Sequence, residues 1–355
     1  MTLSYLRRSL YNRFHSVTLG RRRLSSIPII DFGGFYSNAK DRTLLIDQVR
    51  QACLQYGFFQ ITNHRVPSVL QKAIFTQAQD VFKLPLEVKD KYNNRDPKNY
   101  NRGYERPRSN NYENQGPGDS KEGFYFSEKL PPDHPAVLAG TLSAQNQYPA
   151  EIRDATVFRR VVDTYYEYMV SLSRDLMCVL AQTLELSPRW FDEFGRSPTA
   201  TLGLLHYAAQ TPDASKLERG IGAHTDFGTI TILLQDNNGG LQVWDREGRQ
   251  WVDVTPVPGA LVVNLGNLMM RWTNDRYLSN LHRVINTSGN ERYSVPFFFG
   301  GNPDYVVECL PSEETEGKYP PVSVREWMQG QYSDSLVGKS KGYKDLFPGI
   351  EQALK

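Results

Sequence analysis

Cross-linking cysteines are scarce. The 355 residues contain three, Cys53, Cys178 and Cys309, too few and too scattered for a disulfide framework. They fit a reducing intracellular compartment and read as small buried hydrophobes. No apolar run approaches the roughly 18–20 residues that span a bilayer, which argues against an integral helical membrane protein. Internal repeats and low-complexity tracts are also lacking. The formal net charge is only +2, and six arginines (Arg7, Arg8, Arg13, Arg21, Arg22 and Arg23) precede the first acid, Asp31. The remainder therefore carries about −4, without the basic surplus that a nucleic-acid partner would require. What is present is a globular composition, 39% hydrophobic and 12% aromatic, in a chain long enough for one large or two modest domains.

The first 24 residues read as an address. Leu3, Leu6, Leu10, Phe14 and Val17 recur at spacings of three and four, giving an apolar helical face with arginines on the others. Arg-rich, Ser-rich, acid-free and amphipathic describes a mitochondrial transit peptide. The run RRLS at 22–25 suggests cleavage that leaves a mature chain starting near Ser25 or Ser26 and delivered to the matrix. Without that address the expected location is the cytoplasm.

The body changes style near residue 200. Helical spacing predicts helices over 41–56, closed by Gly57, over 67–82, and over 151–186 with a core stripe of Val157, Val161, Tyr165, Met169, Leu172, Leu176 and Leu180. Residues 27–31 and 58–62 read as strands. Residues 93–120 are rich in Asn, Arg, Pro and Gly but hold Tyr100, Tyr104 and Tyr112, with Tyr92 just before them, so a loop folded over something is expected rather than an idle linker. Beyond 202, short strands at 229–234, 241–244, 251–254, 260–265 and 292–299 separated by turns suggest an antiparallel sandwich or barrel such as a jelly roll.

Chemistry gathers in that strand-rich half. Six histidines are present, and His224 stands two residues before Asp226, between Gly222 and Gly228. On an extended chain residues two apart point the same way, so imidazole and carboxylate can share a metal. His282, at the start of another strand-like segment, is the candidate third ligand. Two histidines and a carboxylate on one face form the donor set of non-haem Fe(II) oxygenases, though zinc accepts the same donors. Ten residues past His282, Arg292 and Ser294 share a strand face and offer a guanidinium fork beside a hydroxyl, a receptor for a carboxylate.

This pattern resembles the 2-oxoglutarate/Fe(II)-dependent dioxygenases, and more narrowly the group related to isopenicillin N synthase. Further landmarks are IPIIDF at 27–32, GFFQITNH at 57–64, FKLP at 82–85, KEGFYF at 121–126 and SVPFFF at 294–299. The resemblance implies a mixed α+β chain with a double-stranded β-helix (distorted jelly roll) core and flanking helices. It divides into an amino-terminal lobe at 27–145, the jelly roll at 199–303 and a helical extension at 304–355. It implies Fe(II) on His224, Asp226 and His282, and 2-oxoglutarate on Arg292 and Ser294 with help from Tyr207. Leu205 replaces an asparagine frequent in plant members. Phe124, Phe126 and Phe298 match pocket-lining positions. His64, His134 and His206 read as structural, His206 because alternation turns it away from the metal.

The implied reaction oxidises, most simply hydroxylates, an unactivated C–H of a small organic metabolite, using dioxygen and decarboxylating 2-oxoglutarate to succinate. The expected enzyme is a monomer with a small-molecule substrate and no nucleic-acid or membrane partner. Two alternatives are a same-fold oxidase that needs no 2-oxoglutarate and a catalytically silent binding protein.

Overall fold

The computed structural model describes residue 24 and residues 26–336, apart from 97–98, 100, 114–117, 130–132, 134–137, 139–144, 212–217 and 311–315. The proposed presequence up to Arg23, His15, His134, Tyr100 and the end of the carboxy-terminal extension lie outside the described residues.

The strands in chain order are β1 (Ile29–Asp31), β2 (Phe58–Thr62), β3 (Gly103–Glu105), β4 (Glu122–Ser127), β5 (Thr199–Tyr207), β6 (Ile221–His224) and β7 (Ile230–Gln235). They continue with β8 (Leu241–Asp245), β9 (Gln250–Asp253), β10 (Leu261–Leu265), β11 (His282–Val284), β12 (Arg292–Gly301), β13 (Val306–Val307) and β14 (Val322–Ser323). A large sheet runs β1-β2-β10-β7-β12-β5-β4-β3 and a small one β6-β11-β8-β9. Every pairing in them is antiparallel except β1 with β2. The jelly-roll expectation holds. The two lobes are not separate sheets, however, because β1 to β4 extend the large sheet that β5, β7, β10 and β12 build.

Alternation along the large sheet sorts its side chains onto two cores. One face carries Phe59, Leu202, Leu204, Ile230, Ile232, Leu261, Val263, Val295, Phe297 and Phe299 against the helices. The opposite face carries Leu205, Tyr207 and Val262, which meet Leu241, Val243 and Val284 of the small sheet. The space between the sheets is therefore the inside of the roll.

The helices are α1 (Ala39–Gln55), α2 (Ser68–Phe82), α3 (Leu86–Lys89), α4 (Ala155–Thr183), α5 (Asn267–Trp272) and α6 (Val324–Leu336). Helix α4 is capped by Asp154, whose carboxylate accepts from the Val157 amide. It packs against α1, α2 and the outer face of β12. Its apolar stripe enters the core through Phe158 and Val162, with Val157 and Val161 only partly buried. The stripe is thus rotated by one residue at this end, because the larger Phe158 takes the core position. Gly57 ends α1 as expected: at φ +66° its amide reaches Ala52 O, and a Cβ there would lie 2.0 Å from Leu278 O.

Leu24, placed by the sequence inside the presequence, is instead 2% exposed and packed in the inner core with Ile27 and Phe58. The folded body therefore begins by Leu24, one residue earlier than expected.

Candidate metal centre

His224 is the last residue of β6 and His282 the first of β11, and the two stand opposite each other in the antiparallel register. This pairing brings together residues 58 apart in sequence, with ring centroids 4.2 Å apart. Asp226 is not on the strand but in the turn leading to β7, so the turn rather than strand alternation delivers its carboxylate. Asp226 Oδ1 lies 3.7 Å from Nε2 of each histidine. The three donor atoms fall within 4.8 Å of one another, the geometry of a metal site.

Hydrogen bonds to the far side of each donor fix its orientation. His224 Nδ1 meets Gly222 O at 2.9 Å and His282 Nδ1 meets Asn280 O at 3.1 Å. Each Nδ1 must then carry the proton, leaving the Nε2 lone pair for a metal. Asp226 Oδ2 accepts from Thr231 Oγ1 at 2.5 Å and Asn264 Nδ2 at 2.6 Å. Burial acts to raise the Asp226 pKa, but the two imidazoles and these donors outweigh it and hold the carboxylate ionised. Burial, with His282 beside it, pushes His224 down to about 4. At neutral pH the His224 ring is uncharged and Asp226 anionic, the protonation state a divalent cation requires.

Thr231 and Asn264 had no place in the sequence reading. Their signal is a lone polar residue inside otherwise apolar runs, ITILL and LVVNL, each on an inward-facing position.

Arg292 and Ser294 point inward from β12. Arg292 is fully buried, stands opposite Tyr207 of β5, and holds its Cζ 4.6 Å from the Tyr207 ring centre. Its Nε donates to Gly239 O at 2.5 Å and one amino nitrogen to Gln235 Oε1 at 3.4 Å. The other, Nη1, is buried and has no partner among the described residues. Ser294 Oγ and Tyr207 OH are 3.4 Å apart. An unpaired guanidinium nitrogen beside two hydroxyls is a carboxylate receptor. Leu205 packs in the inner core and offers no polar contact.

From the stretch 93–120, Tyr112, Glu113 and Asp119 reach His224 and the strand that carries it. The Tyr112 ring stacks on His224 at 4.8 Å and 19°, Glu113 Oε1 accepts from the Ala223 amide at 2.9 Å, and Asp119 Oδ1 from the Gly222 amide at 2.9 Å. Burial pushes the Asp119 carboxyl up to about 7, and its Oδ2 is buried with no partner among the described residues. A raised carboxyl costs stability as pH rises from the unfolded value near 4 through 7, and costs nothing below that range. The urea midpoint of the wild type is expected to fall between pH 5 and 8, and Asp119→Asn, which keeps the acceptor, to remove on the order of 2 kcal/mol of that loss. Identical pH profiles for the two proteins would contradict this.

Phe298 shares the inward face with Arg292 and Ser294 and is partly exposed. Phe124 and Phe126 are corrected. Both are buried on the helix-facing side, stacked on each other at 5.3 Å, with Phe126 against Phe158. Alternation along β4 turns Lys121, Gly123 and Tyr125 inward instead. There Lys121 pairs with buried Glu105 and donates to Tyr125 OH at 2.8 Å, while Tyr125 packs on the inner core. Phe126→Ala is therefore expected to cost about 3–5 kcal/mol in a denaturant melt without changing which substrates are accepted. Unchanged stability with altered selectivity would reverse the correction.

The other described histidines are structural. His64 is bonded through Nε2 to Gly259 O and through Nδ1 to the Val66 amide. His206 faces the outer core, bonded through Nδ1 to Glu122 at 2.8 Å and stacked between Phe82 and Tyr293.

Comparison with known proteins completes the assignment. A family model described as the non-haem dioxygenase in morphine synthesis N-terminal matches residues 27–151, and one described as the 2OG-Fe(II) oxygenase superfamily matches residues 200–301. The chain belongs to the 2-oxoglutarate/Fe(II)-dependent oxygenases. It is 48% identical over 326 residues to the 2-oxoglutarate-Fe(II) type oxidoreductase hxnY of Emericella nidulans, covering 89% of this chain and 92% of that one. It is 44% identical over 304 residues to a 2-oxoglutarate-Fe(II) type oxidoreductase of Aspergillus fumigatus, covering 84% and 90%. A full-length Neurospora crassa protein, solved in complex with alpha-KG and thymine, superposes with a TM-score of 0.75 at 28% identity, covering 86% and 96%. This oxygenase works with Fe(II), 2-oxoglutarate and dioxygen, and oxidation of a small molecule is its activity.

Proposed function

We propose that His224, Asp226 and His282 hold the Fe(II), that Arg292, Ser294 and Tyr207 seat the far carboxylate of 2-oxoglutarate, and that the enzyme hydroxylates an unactivated C–H of a small organic metabolite. The observation that carries the co-substrate assignment is the buried Arg292 Nη1, which has no partner among the described residues. A hydrolase has no special use for such a receptor, and an oxidase independent of 2-oxoglutarate would need it only for a carboxylate on its own substrate. When bound, ferrous iron with 2-oxoglutarate supplies dioxygen activation coupled to decarboxylation.

The chain's own residues do the rest. Gly222 O and Asn280 O keep both imidazoles in the ligating tautomer, and Thr231 and Asn264 hold one Asp226 oxygen so that the other faces the metal. Arg292 orients the diacid from its remote end. Tyr112 lies over His224 and excludes water from that side of the centre. Tyr125, Phe298 and Tyr112 supply aromatic surface on the inner side, which supports a planar or hydrophobic substrate, as does the thymine bound by the Neurospora crassa protein.

The deciding measurement is succinate formed per substrate consumed. A ratio of one supports the oxygenase, and turnover without succinate would identify an oxidase. We further propose that the enzyme acts as a monomer and that its amino-terminal segment delivers it to the mitochondrial matrix. The six arginines and absent acids before Asp31 support the address. A fluorescent fusion of the full chain should enter mitochondria, and one lacking residues 1–23 should not; equal distribution would remove the proposal.

A further inference from the structure

The turn that carries Asp226 is held almost carbonyl by carbonyl. Asp226 O accepts from the Asn267 amide at 2.7 Å, Gly228 O from Leu268 at 3.2 Å, and Thr229 O from Gly266 at 3.0 Å. These three donors all come from the start of α5, a rigid neighbour within the jelly roll. The carbonyl between them, Phe227 O, accepts from the indole Nε1 of Trp327 at 2.8 Å. Trp327 belongs to α6, beyond residue 301 where the family match ends.

The extension is built to bring that indole there. The β13–β14 pair ties residues 306–307 to 322–323, and Leu310 N bonds Trp272 O at the end of α5. Val324, fully buried at the start of α6, donates its amide to Tyr305 O. Arg271, also on α5, places its guanidinium 5.5 Å from the Trp327 ring centre and 4.8 Å from that of Tyr319. Helix α6 and the turn are thus fastened to the same short helix, and the indole N–H adds its hydrogen bond to the backbone of the turn, one residue beyond Asp226.

We infer that Trp327 is a positioning residue for the metal centre: its indole N–H fixes the 226–228 backbone and with it the direction of Asp226 Oδ1. The inference rests on the reading of Asp226 as a metal ligand. A ligand held a few tenths of an ångström out of place loses metal affinity before the fold is lost, since partners of metal ligands typically contribute about 10–100-fold in affinity.

The test is Co(II) titration of the chelator-treated full chain, followed by the visible d–d absorption. Trp327→Phe keeps an aromatic side chain and removes the donor, and should weaken Co(II) binding about tenfold while lowering the melting temperature of the metal-free protein by only a few degrees. Arg325→Gln breaks the exposed Arg325–Asp304 ion pair on the same helix, leaves the indole in place, and should bind Co(II) within about twofold of wild type. Wild-type affinity in Trp327→Phe overturns the inference, as does equal weakening in both variants, which would assign the effect to helix docking rather than to the N–H. Should Trp327→Phe fail to fold, the wild type decides: one indole N–H resonance should shift and exchange more slowly on adding Zn(II), and five unmoved indoles would overturn the inference. Asp226→Ala, run alongside, separates the two ideas. Retained Co(II) binding there would sink the ligand assignment itself, whatever Trp327 does.

Discussion

Replacing Asp226 with alanine should abolish iron-dependent formation of succinate while leaving a folded protein. Of the three donors, this carboxylate is the anionic one, and it neutralises part of the cation's charge in a buried site. Its loss leaves two imidazoles and no anionic donor, and the fall in Fe(II) affinity should exceed the roughly 100-fold that even outer partners contribute. The fold survives because the structural consequences are small: Thr231 Oγ1 and Asn264 Nδ2 lose an acceptor, a cost of about 1–3 kcal/mol against the stability of a large domain. Calorimetric Fe(II) or Co(II) titration with circular dichroism on the same sample checks both halves. Undiminished metal binding in a folded variant would mean that the centre lies elsewhere.

Arg292→Ala should raise the 2-oxoglutarate concentration needed for half-maximal succinate production by about 100-fold or more, with metal affinity in the absence of co-substrate unchanged. Truncating one side of a buried, hydrogen-bonded charge pair typically costs about 2–5 kcal/mol, or a factor of about 30 to several thousand. Lysine should not restore the function, because a single ammonium cannot reproduce a fork held by Gly239 O and Gln235 with one nitrogen left over for the ligand. An unchanged 2-oxoglutarate dependence would remove Arg292 from the site. A parallel loss of metal binding would instead mean that the residue supports the fold around His224 and His282.

Asp226 and Arg292 are marked by residue type and spacing in the sequence itself, whereas other residues around the site are not. His224, Asp226 and His282 were legible as candidate ligands because metal ligation restricts residue type severely, and Arg292 with Ser294 as a candidate receptor because a guanidinium two residues from a hydroxyl inside an apolar strand is hard to explain as packing. Thr231 and Asn264 share that signal in weaker form, since a lone buried polar residue can satisfy itself on backbone. Tyr112 and Trp327 were out of reach: each acts across a sequence separation of about 100 residues or more, on His224 and Phe227 respectively. Phe124 and Phe126 show the opposite failure. Residue type suited a pocket, but the parity of β4 in the large sheet assigned the pocket side to Gly123 and Tyr125.

The sequence by itself determined the elements and the donor types. Apolar periodicity set α1, α2, α4 and most strands to within a few residues, because the periods 3.6 and 2 follow from backbone geometry alone. The chemistry of His, Asp and Arg likewise travels with the residue. Tertiary structure decided which face of each strand looks inward, where the amino-terminal strands join the large sheet, and which donors hold the turn after β6. Those choices depend on register between strands distant in the chain, and a shift of one residue would exchange the inside of the roll for its outside.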